Sequence, residues 1–347
     1  MKNSGYRLLK LWVKAGLYLY YGNIKISGLQ NVPRNEPVLF LPNHQGALMD
    51  VLLIVTDCHR KPFFLTRSDV FERTTLIKFF AFLRMLPIYR IRDGRESLKK
   101  NRAIFDQCSQ LFGQNHAMVM FPEANHNIKR RVRPLSKGFT RILLNTLKRN
   151  PELKIHIIPV GMNYRSNTGF PDKVALNYGM PIVANDYYDE KETQNTIHTL
   201  KDVVSDSLKT LTTHIEDEKK YDATLRKLDA LQVDYLNPSE TNFAIKNWDA
   251  SDDKKADLQT PAALKAFFKG IFIVLNLPVI ILWRTGIKPK VREPEFMGTF
   301  RFGFALLVYP IFYLVLFAVI AAIWNGFVGM AVIIGLFLFN WGYVRWN

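Results

Sequence analysis

From Gly303 to Trp324 the chain carries no charged residue, and after Asn325-Gly326 a second uncharged run extends from Phe327 to Val344. Each run is close to the roughly 20 residues that a helix needs to cross a bilayer. Tyr309, Tyr313, Trp324, Trp341 and Tyr343 add aromatic rings, several of them near the expected interfaces. Two such runs back to back point to a transmembrane hairpin and away from the buried hairpin of a soluble protein.

A third apolar stretch, 266–283, contains Lys269 and is interrupted by Asn276-Leu277-Pro278. The connector beyond it holds Arg284, Lys288, Lys290, Arg292 and Arg301 against Glu293 and Glu295. The positive-inside tendency puts this connector in the cytoplasm. A full span at 266–283 would force it to the far side from a cytoplasmic N-terminal domain. The expectation is therefore an interfacial or re-entrant segment at 266–283, then transmembrane helices at 303–324 and 327–344 that return Arg345 to the cytoplasm. At the other end, residues 6–21 mix apolar and aromatic residues with Arg7, Lys10 and Lys14. That composition fits a basic helix lying in the membrane interface, placed here as a segment 1–22, and fits an ordinary packed helix nearly as well.

Lys and Arg number 47 against 30 Asp and Glu, a formal net charge of +17. Such a surplus favours a polyanionic partner, nucleic acid or an anionic membrane. The apolar runs select the phospholipid membrane, and no nucleic-acid motif accompanies the charge, so no nucleic-acid partner is expected. Cys58 and Cys108 make neither a disulfide framework nor a metal-ligand spacing. A reducing, cytoplasm-facing catalytic portion fits that count. The N-terminal residues lack the compact apolar core and cleavage site of a secretory signal.

Between the ends, short apolar runs alternate with helical patterns. Strands are predicted at 23–28, 38–41, 63–65, 87–91, 117–121, 155–160 and 174–179. Helices are predicted from the His44 loop to about Thr56 and at 74–83, 96–112, 136–147 and 193–215. This alternation specifies an α/β domain at 23–185, a layered mixed sheet flanked by helices. Residues 186–260 turn polar, a partly helical extension and linker, before the membrane region at 261–347.

Four loops at strand ends hold most of the candidate chemistry, as expected for sheets of this kind. The first, Asn43-His44-Gln45-Gly46-Ala47-Leu48-Met49-Asp50, brings together an imidazole and a carboxylate. Histidine is suited to removing a proton near neutral pH, and a carboxylate can fix its tautomer. The second loop is Tyr89-Arg90-Ile91-Arg92-Asp93-Gly94. The third is Phe121-Pro122-Glu123-Ala124-Asn125-His126, running on through Lys129-Arg130-Arg131-Val132-Arg133 to Lys137-Gly138. The fourth runs from Ile157-Ile158-Pro159-Val160 to Tyr164. His59 and His116 read as surface or packing residues, and His156 as a core or edge histidine.

In this order and spacing the four loops resemble the glycerolipid acyltransferase superfamily, which includes the lysophosphatidic acid and glycerol-3-phosphate acyltransferases. The first loop resembles that family's Asn-His-(four residues)-Asp block and the second its Ile-x-Arg block. The third resembles Phe-Pro-Glu-Gly-Thr-Arg with a downstream Lys-Gly, and the fourth Ile-Pro-Val. The resemblance covers about residues 30–185. It implies that His44 is the general base for a glycerol hydroxyl and that Asp50 orients it. It also implies that Arg90 and Glu123, with His126 and the basic residues Lys129, Arg130 and Arg131, form the acceptor site. Arg67 and Lys137 are candidates for the phosphates of the acyl donor.

Two departures stand out. Five residues, not four, separate His44 from Asp50. On an ideal helix a six-residue step turns about 600°, so the two side chains would not share a face. Either His44 sits on a loop before the helix, or a local irregularity restores contact. In the third block Ala124-Asn125-His126 replaces Gly-Thr-Arg, a pattern similar to some glycerol-3-phosphate acyltransferases.

The expectation is a membrane-bound O-acyltransferase of phospholipid biosynthesis, integral to the cell membrane with its catalytic domain facing the cytoplasm. It would move a fatty acyl group from acyl-CoA or acyl-ACP to lysophosphatidate or glycerol 3-phosphate, with no cofactor and no metal. Two alternatives are an acyltransferase for a non-phosphorylated lyso-aminolipid and a non-catalytic lipid-binding membrane protein.

Overall fold

The computed structural model describes residues 2–71, 74–89, 95–247 and 262–347. At its centre is one mixed sheet of eight strands: β1 (Tyr21–Ser27), β2 (Val38–Pro42), β3 (Phe63–Arg67), β4 (Met85–Ile88), β5 (Ala117–Val119), β6 (His156–Tyr164), β7 (Asp172–Tyr178) and β8 (Ile182–Val183). The order across the sheet is β1-β7-β6-β2-β5-β3-β4, with β8 paired to β6. Strands β6, β2, β5, β3 and β4 run parallel, so their carboxyl ends share one edge. β7 and β8 run antiparallel to β6.

Helices α2 (Leu48–Asp57), α3 (Thr74–Phe82), α4 (Arg95–Gly113) and α5 (Gly138–Arg149) connect the successive parallel strands. Both sheet faces are covered, which is why β2 is an unbroken apolar run. Val38 and Phe40 point into one core with Met49 and Leu53 of α2. Leu39 and Leu41 point into the other with Phe112 of α4 and Phe139 and Ile142 of α5. This strict alternation fixes the strand register, since a one-residue slip would exchange the faces.

The predicted elements recur with informative shifts. β6 runs on to Tyr164, because Val160–Tyr164 pairs with Val174–Tyr178 of β7. Helix α6 (Thr193–Leu211) stops short of Ile215, whose N–H donates to the carbonyl of Arg130 at 2.9 Å. The extension continues as α7 (Tyr221–Ala230) and α8 (Pro238–Lys246), which share a small core of Ile215, Tyr221, Leu228, Val233, Tyr235 and Ala244.

Helix α1 (Lys2–Tyr20) has two apolar faces. Leu17 and Tyr20 enter the first core, while Leu8, Leu11, Trp12 and Leu19 form an exposed stripe at helical spacing. Two of its cations serve the packed side: Lys14 pairs with Asp57 at 2.8 Å, and Lys10 donates to the carbonyl of Cys58 at 3.3 Å.

Helices α9 (Ala262–Leu275) and α10 (Leu277–Leu282) belong to two segments bent by 86° at Asn276. Two further helices, α11 (Met297–Ile323) and α12 (Gly326–Trp346), are long and apolar enough to cross a membrane. Fully buried Asn276 exchanges hydrogen bonds with Asn340 at 2.8 and 2.9 Å, and Asn340 also donates to the Tyr313 hydroxyl. The hairpin base docks on the domain. Phe302 joins the core beside Leu17 and Tyr20, and Arg301 donates to the carbonyls of Thr168 and Gly169. A Cβ at Gly16 would lie 2.5 Å from Leu306 Cδ1 and 3.3 Å from the Phe302 ring, so a larger residue here would make the Leu306 side chain shift. At the other end Arg165 donates to the Asn347 carbonyl.

Candidate active site

The carboxyl ends of β2 and β5, neighbours in the sheet, carry the first and third loops and so bring them together. His44 lies in the loop between β2 and α2, and Asp50 lies in the first turn of α2. The extra residue is absorbed before the helix, where Ala47 adopts φ 48° and ψ −121°. His44 Nδ1 is 2.8 Å from Asp50 Oδ2, although the two side chains are not on one helical face.

Asp50 is fully buried and surrounded by donors. Its Oδ2 accepts from the backbone N–H of Gln45 at 3.0 Å and of Gly46 at 2.9 Å, as well as from His44. Its Oδ1 accepts from the Tyr164 hydroxyl at 2.5 Å. A carboxylate can only accept, so the proton between the pair belongs on Nδ1 and Nε2 is left with its lone pair. A Cβ at Gly46 would lie 2.6 Å from the Tyr164 oxygen and 2.9 Å from Asp50 Oδ1, which reserves this position for glycine. Asn43 fastens the loop to β6 through both its amide groups, with Met162 N–H at 2.6 Å and the Met162 carbonyl at 3.1 Å.

The His44 ring stacks on Phe121 at 3.9 Å between centroids and 22° between planes. His126 meets it edge-on at 5.7 Å. Buried Glu123 is held by Arg133, whose Nε is 2.9 Å from Oε2. Burial pushes the Glu123 carboxyl up, against the lowering effect of the Arg133 guanidinium. Arg133 also binds both oxygens of Asn125.

His126 does not stand free. Its Nε2 is 2.8 Å from Glu293 Oε2, and its ring meets Phe296 edge-on at 4.8 Å. Both partners come from the connector before α11. Ligand atoms of His126, Glu293 and Glu295 lie within 4.8 Å of one another, the one group of three among the described residues that could jointly hold a cation.

The side chains of the basic loop are largely engaged by the protein itself. Arg130 donates to the carbonyls of Tyr164 and Arg165 at 2.9 Å and lies 3.6 Å over the Tyr235 ring. Lys129 and Arg131 both pair with Glu218, at 3.5 and 3.3 Å. Arg130 is thus a strut between the loop, β6 and the extension, and the structure does not turn it toward His44. Arg67, at the end of β3, is paired with Asp69. Lys137 is exposed at the start of α5. Arg90 lies outside the described residues. His116 packs edge-on against Phe63, and His156 lies 2.6 Å from Glu36.

Sequence reading gave Tyr164 and Glu293 no role, although it placed Tyr164 at the end of the fourth loop and Glu293 in the connector. Glu293 carried no signal, being 167 positions from the histidine it binds.

A family model described as Acyltransferase matches residues 23–163, the stretch of sequence that carries the first three loops and the fourth as far as Asn163. Residues 23–163 are thus similar to the acyltransferase family. Glycerol-3-phosphate O-acyltransferase 1 of Saccharomyces cerevisiae is 22% identical to this chain over 147 residues, 41% of this chain and 19% of the yeast protein. The 1-acyl-sn-glycerol-3-phosphate acyltransferase of Borreliella burgdorferi is 21% identical over 212 residues, 59% of this chain and 79% of that protein. The chain thus spans about a fifth of the length of the yeast relative. The crystal structure of the 1-acyl-sn-glycerophosphate acyltransferase PlsC from Thermotoga maritima superposes with a TM-score of 0.41 at 17% identity, over 58% of this chain and 79% of that one. The matched stretch contributes His44, Asp50 and Glu123, while Tyr164 and Glu293 lie outside it.

Proposed function

We propose that this protein is an integral membrane O-acyltransferase that transfers a fatty acyl group from acyl-CoA or acyl-ACP to the hydroxyl of a glycerol-phosphate-type acceptor. The observation that carries this reading is the His44–Asp50 pair at the carboxyl edge of the sheet, with Nε2 of His44 left as the acceptor of a proton. His44 removes the proton of the acceptor hydroxyl as its oxygen attacks the thioester carbonyl carbon. The tetrahedral intermediate collapses with cleavage of the C–S bond, and the thiolate leaves with the proton held by His44. No residue is acylated, and no cofactor is called for.

Lysophosphatidate and glycerol 3-phosphate are the acceptors proposed first, since the relatives above are named for them. Arg90, Glu123 and His126 are the residues proposed to receive the acceptor, and Arg67 and Lys137 the donor phosphates. A second reading, a lyso-aminolipid acceptor, is favoured by one feature. Lys129, Arg130, Arg131 and Arg133 are all engaged by groups of this chain, whereas Glu293 and Glu295 flank His126. In either case α11 and α12 cross the bilayer, α9 and α10 form a re-entrant segment, and the catalytic domain faces the cytoplasm.

Purified protein supplied with labelled acyl-CoA or acyl-ACP and a panel of glycerol 3-phosphate, lysophosphatidate and a lyso-aminolipid tests this. One acceptor is expected to gain one acyl group by mass, and His44→Ala to abolish that product. Undiminished turnover by His44→Ala would refute the general-base assignment.

A further inference from the structure

We infer that Tyr164 is a positioning residue of the transfer reaction, acting through Asp50 on His44; the inference rests on the general-base reading of His44. Asp50 Oδ2 is filled by three donors, and the Tyr164 hydroxyl at 2.5 Å is the donor that holds Oδ1. Both side chains are buried, Asp50 fully and Tyr164 to within 1% of its surface. A hydrogen bond between buried groups of this kind is stronger than the same bond in water, and losing it leaves a carboxylate oxygen unpaired.

The hydroxyl also decides which way the carboxylate faces. With Oδ1 held by β6, Oδ2 can turn only toward the loop, where it meets Nδ1 of His44. Tyr164 is itself fixed from three sides. Its backbone pairs with Val174 of β7, its carbonyl receives Arg130, and its ring lies against Tyr21 of β1 at 6.4 Å. Gly46 completes the fit by leaving no side chain between the phenol and the loop. The five-residue spacing of the first block and this tyrosine thus form one arrangement.

The titratable groups that face the trio are His126 and Glu123 after β5, Tyr21 on β1 and Asp172 on β7. Tyr164→Phe leaves all of them in place and removes one oxygen. With less of its charge shared by the phenol, Asp50 holds the imidazolium of His44 more tightly. The acidic limb of the pH–rate profile then moves to higher pH.

The test compares Tyr164→Phe with the parent protein in detergent or vesicles, with the acceptor found active in the panel. Turnover is expected to fall about tenfold, the effect of one hydrogen bond to a charged group. KM for donor and acceptor should hold, and the acidic limb should shift upward. In an Asp50→Ala background the same change should have no further effect, because the side chain through which the phenol acts is gone. A parent-like profile for Tyr164→Phe, or an equal loss in both backgrounds, would overturn the inference. If His44→Ala is also fully active, the general-base reading fails with it; if His44→Ala is dead and Tyr164→Phe is unchanged, only the role of Tyr164 falls.

Discussion

At the scale of single residues, the site is defined by how little room surrounds Asp50. Gly46→Ala would drive a methyl group into both the Tyr164 oxygen and Asp50 Oδ1. It is expected to cost about 1–3 kcal/mol of stability, as overpacking does. Activity should fall far more than thermal stability, a contrast that unfolding curves and initial rates would measure together. The sequence displayed His44, Asp50 and Glu123 because they sit in short, recognisable blocks. It hid their partners, because a hydrogen bond between residues 50 and 164 depends on β2 and β6 pairing, which no local pattern records. The spacing of the first block looked unfavourable only if His44 lay on the helix. Placing it on the loop removes the difficulty, and the positive φ of Ala47 marks where the extra residue is spent.

At the scale of elements, two joints make distinct predictions. His214, in the turn after α6, accepts from the Val132 N–H at 3.0 Å through Nδ1. Burial holds its imidazole below the usual 6.5, against the raising effect of Glu216. The unfolded chain therefore takes up the proton first, and this part of the stability is present above pH 6.5 and lost as pH falls through that value. Protonation also removes the lone pair that Val132 uses. The protection factor of the Val132 amide, taken against the intrinsic exchange rate at each pH, should fall between neutral pH and pH 5, with core amides of β6 much less affected. The second joint is the Asn276–Asn340 pair. Asn340→Leu leaves the Asn276 amide oxygen without its donor in an apolar setting, while Nδ2 keeps the Phe272 carbonyl, at a cost of about 1–2 kcal/mol. A cysteine placed at Ile281 should then react faster with a thiol reagent. The sequence located the break at Asn276-Leu277-Pro278 through its proline, whereas the asparagine partner 64 positions away became visible only with the helices packed.

At the scale of the whole molecule, the apolar runs announced the hairpin and the alternation of strands announced the layered sheet. Their mutual placement was not legible, because it depends on Gly16 meeting Leu306 and on Arg301 reaching the 168–169 loop. The connector lies against the catalytic domain through Glu293, and the end of α12 returns to Arg165. In the proposed topology a tag inserted at Lys288 and a tag after Asn347 should be protected or exposed together with the domain. A cysteine at Asn325 should be labelled from the opposite face. A tag at Lys288 found on the far side would contradict the re-entrant assignment of α9 and α10.

The docking of Phe302 between Leu17 and Tyr20 bears on how this protein can be handled. The α/β domain is not a detachable cargo carried by an inert tether. A version truncated before the connector would lose a core phenylalanine, a change that costs about 3–5 kcal/mol when such a ring is deleted from an interior. It would also strip His126 of Glu293 and Phe296. Such a fragment is expected to aggregate on expression, so protein that keeps the connector and helices α11 and α12, not a trimmed domain, is the preparation on which rates should be measured.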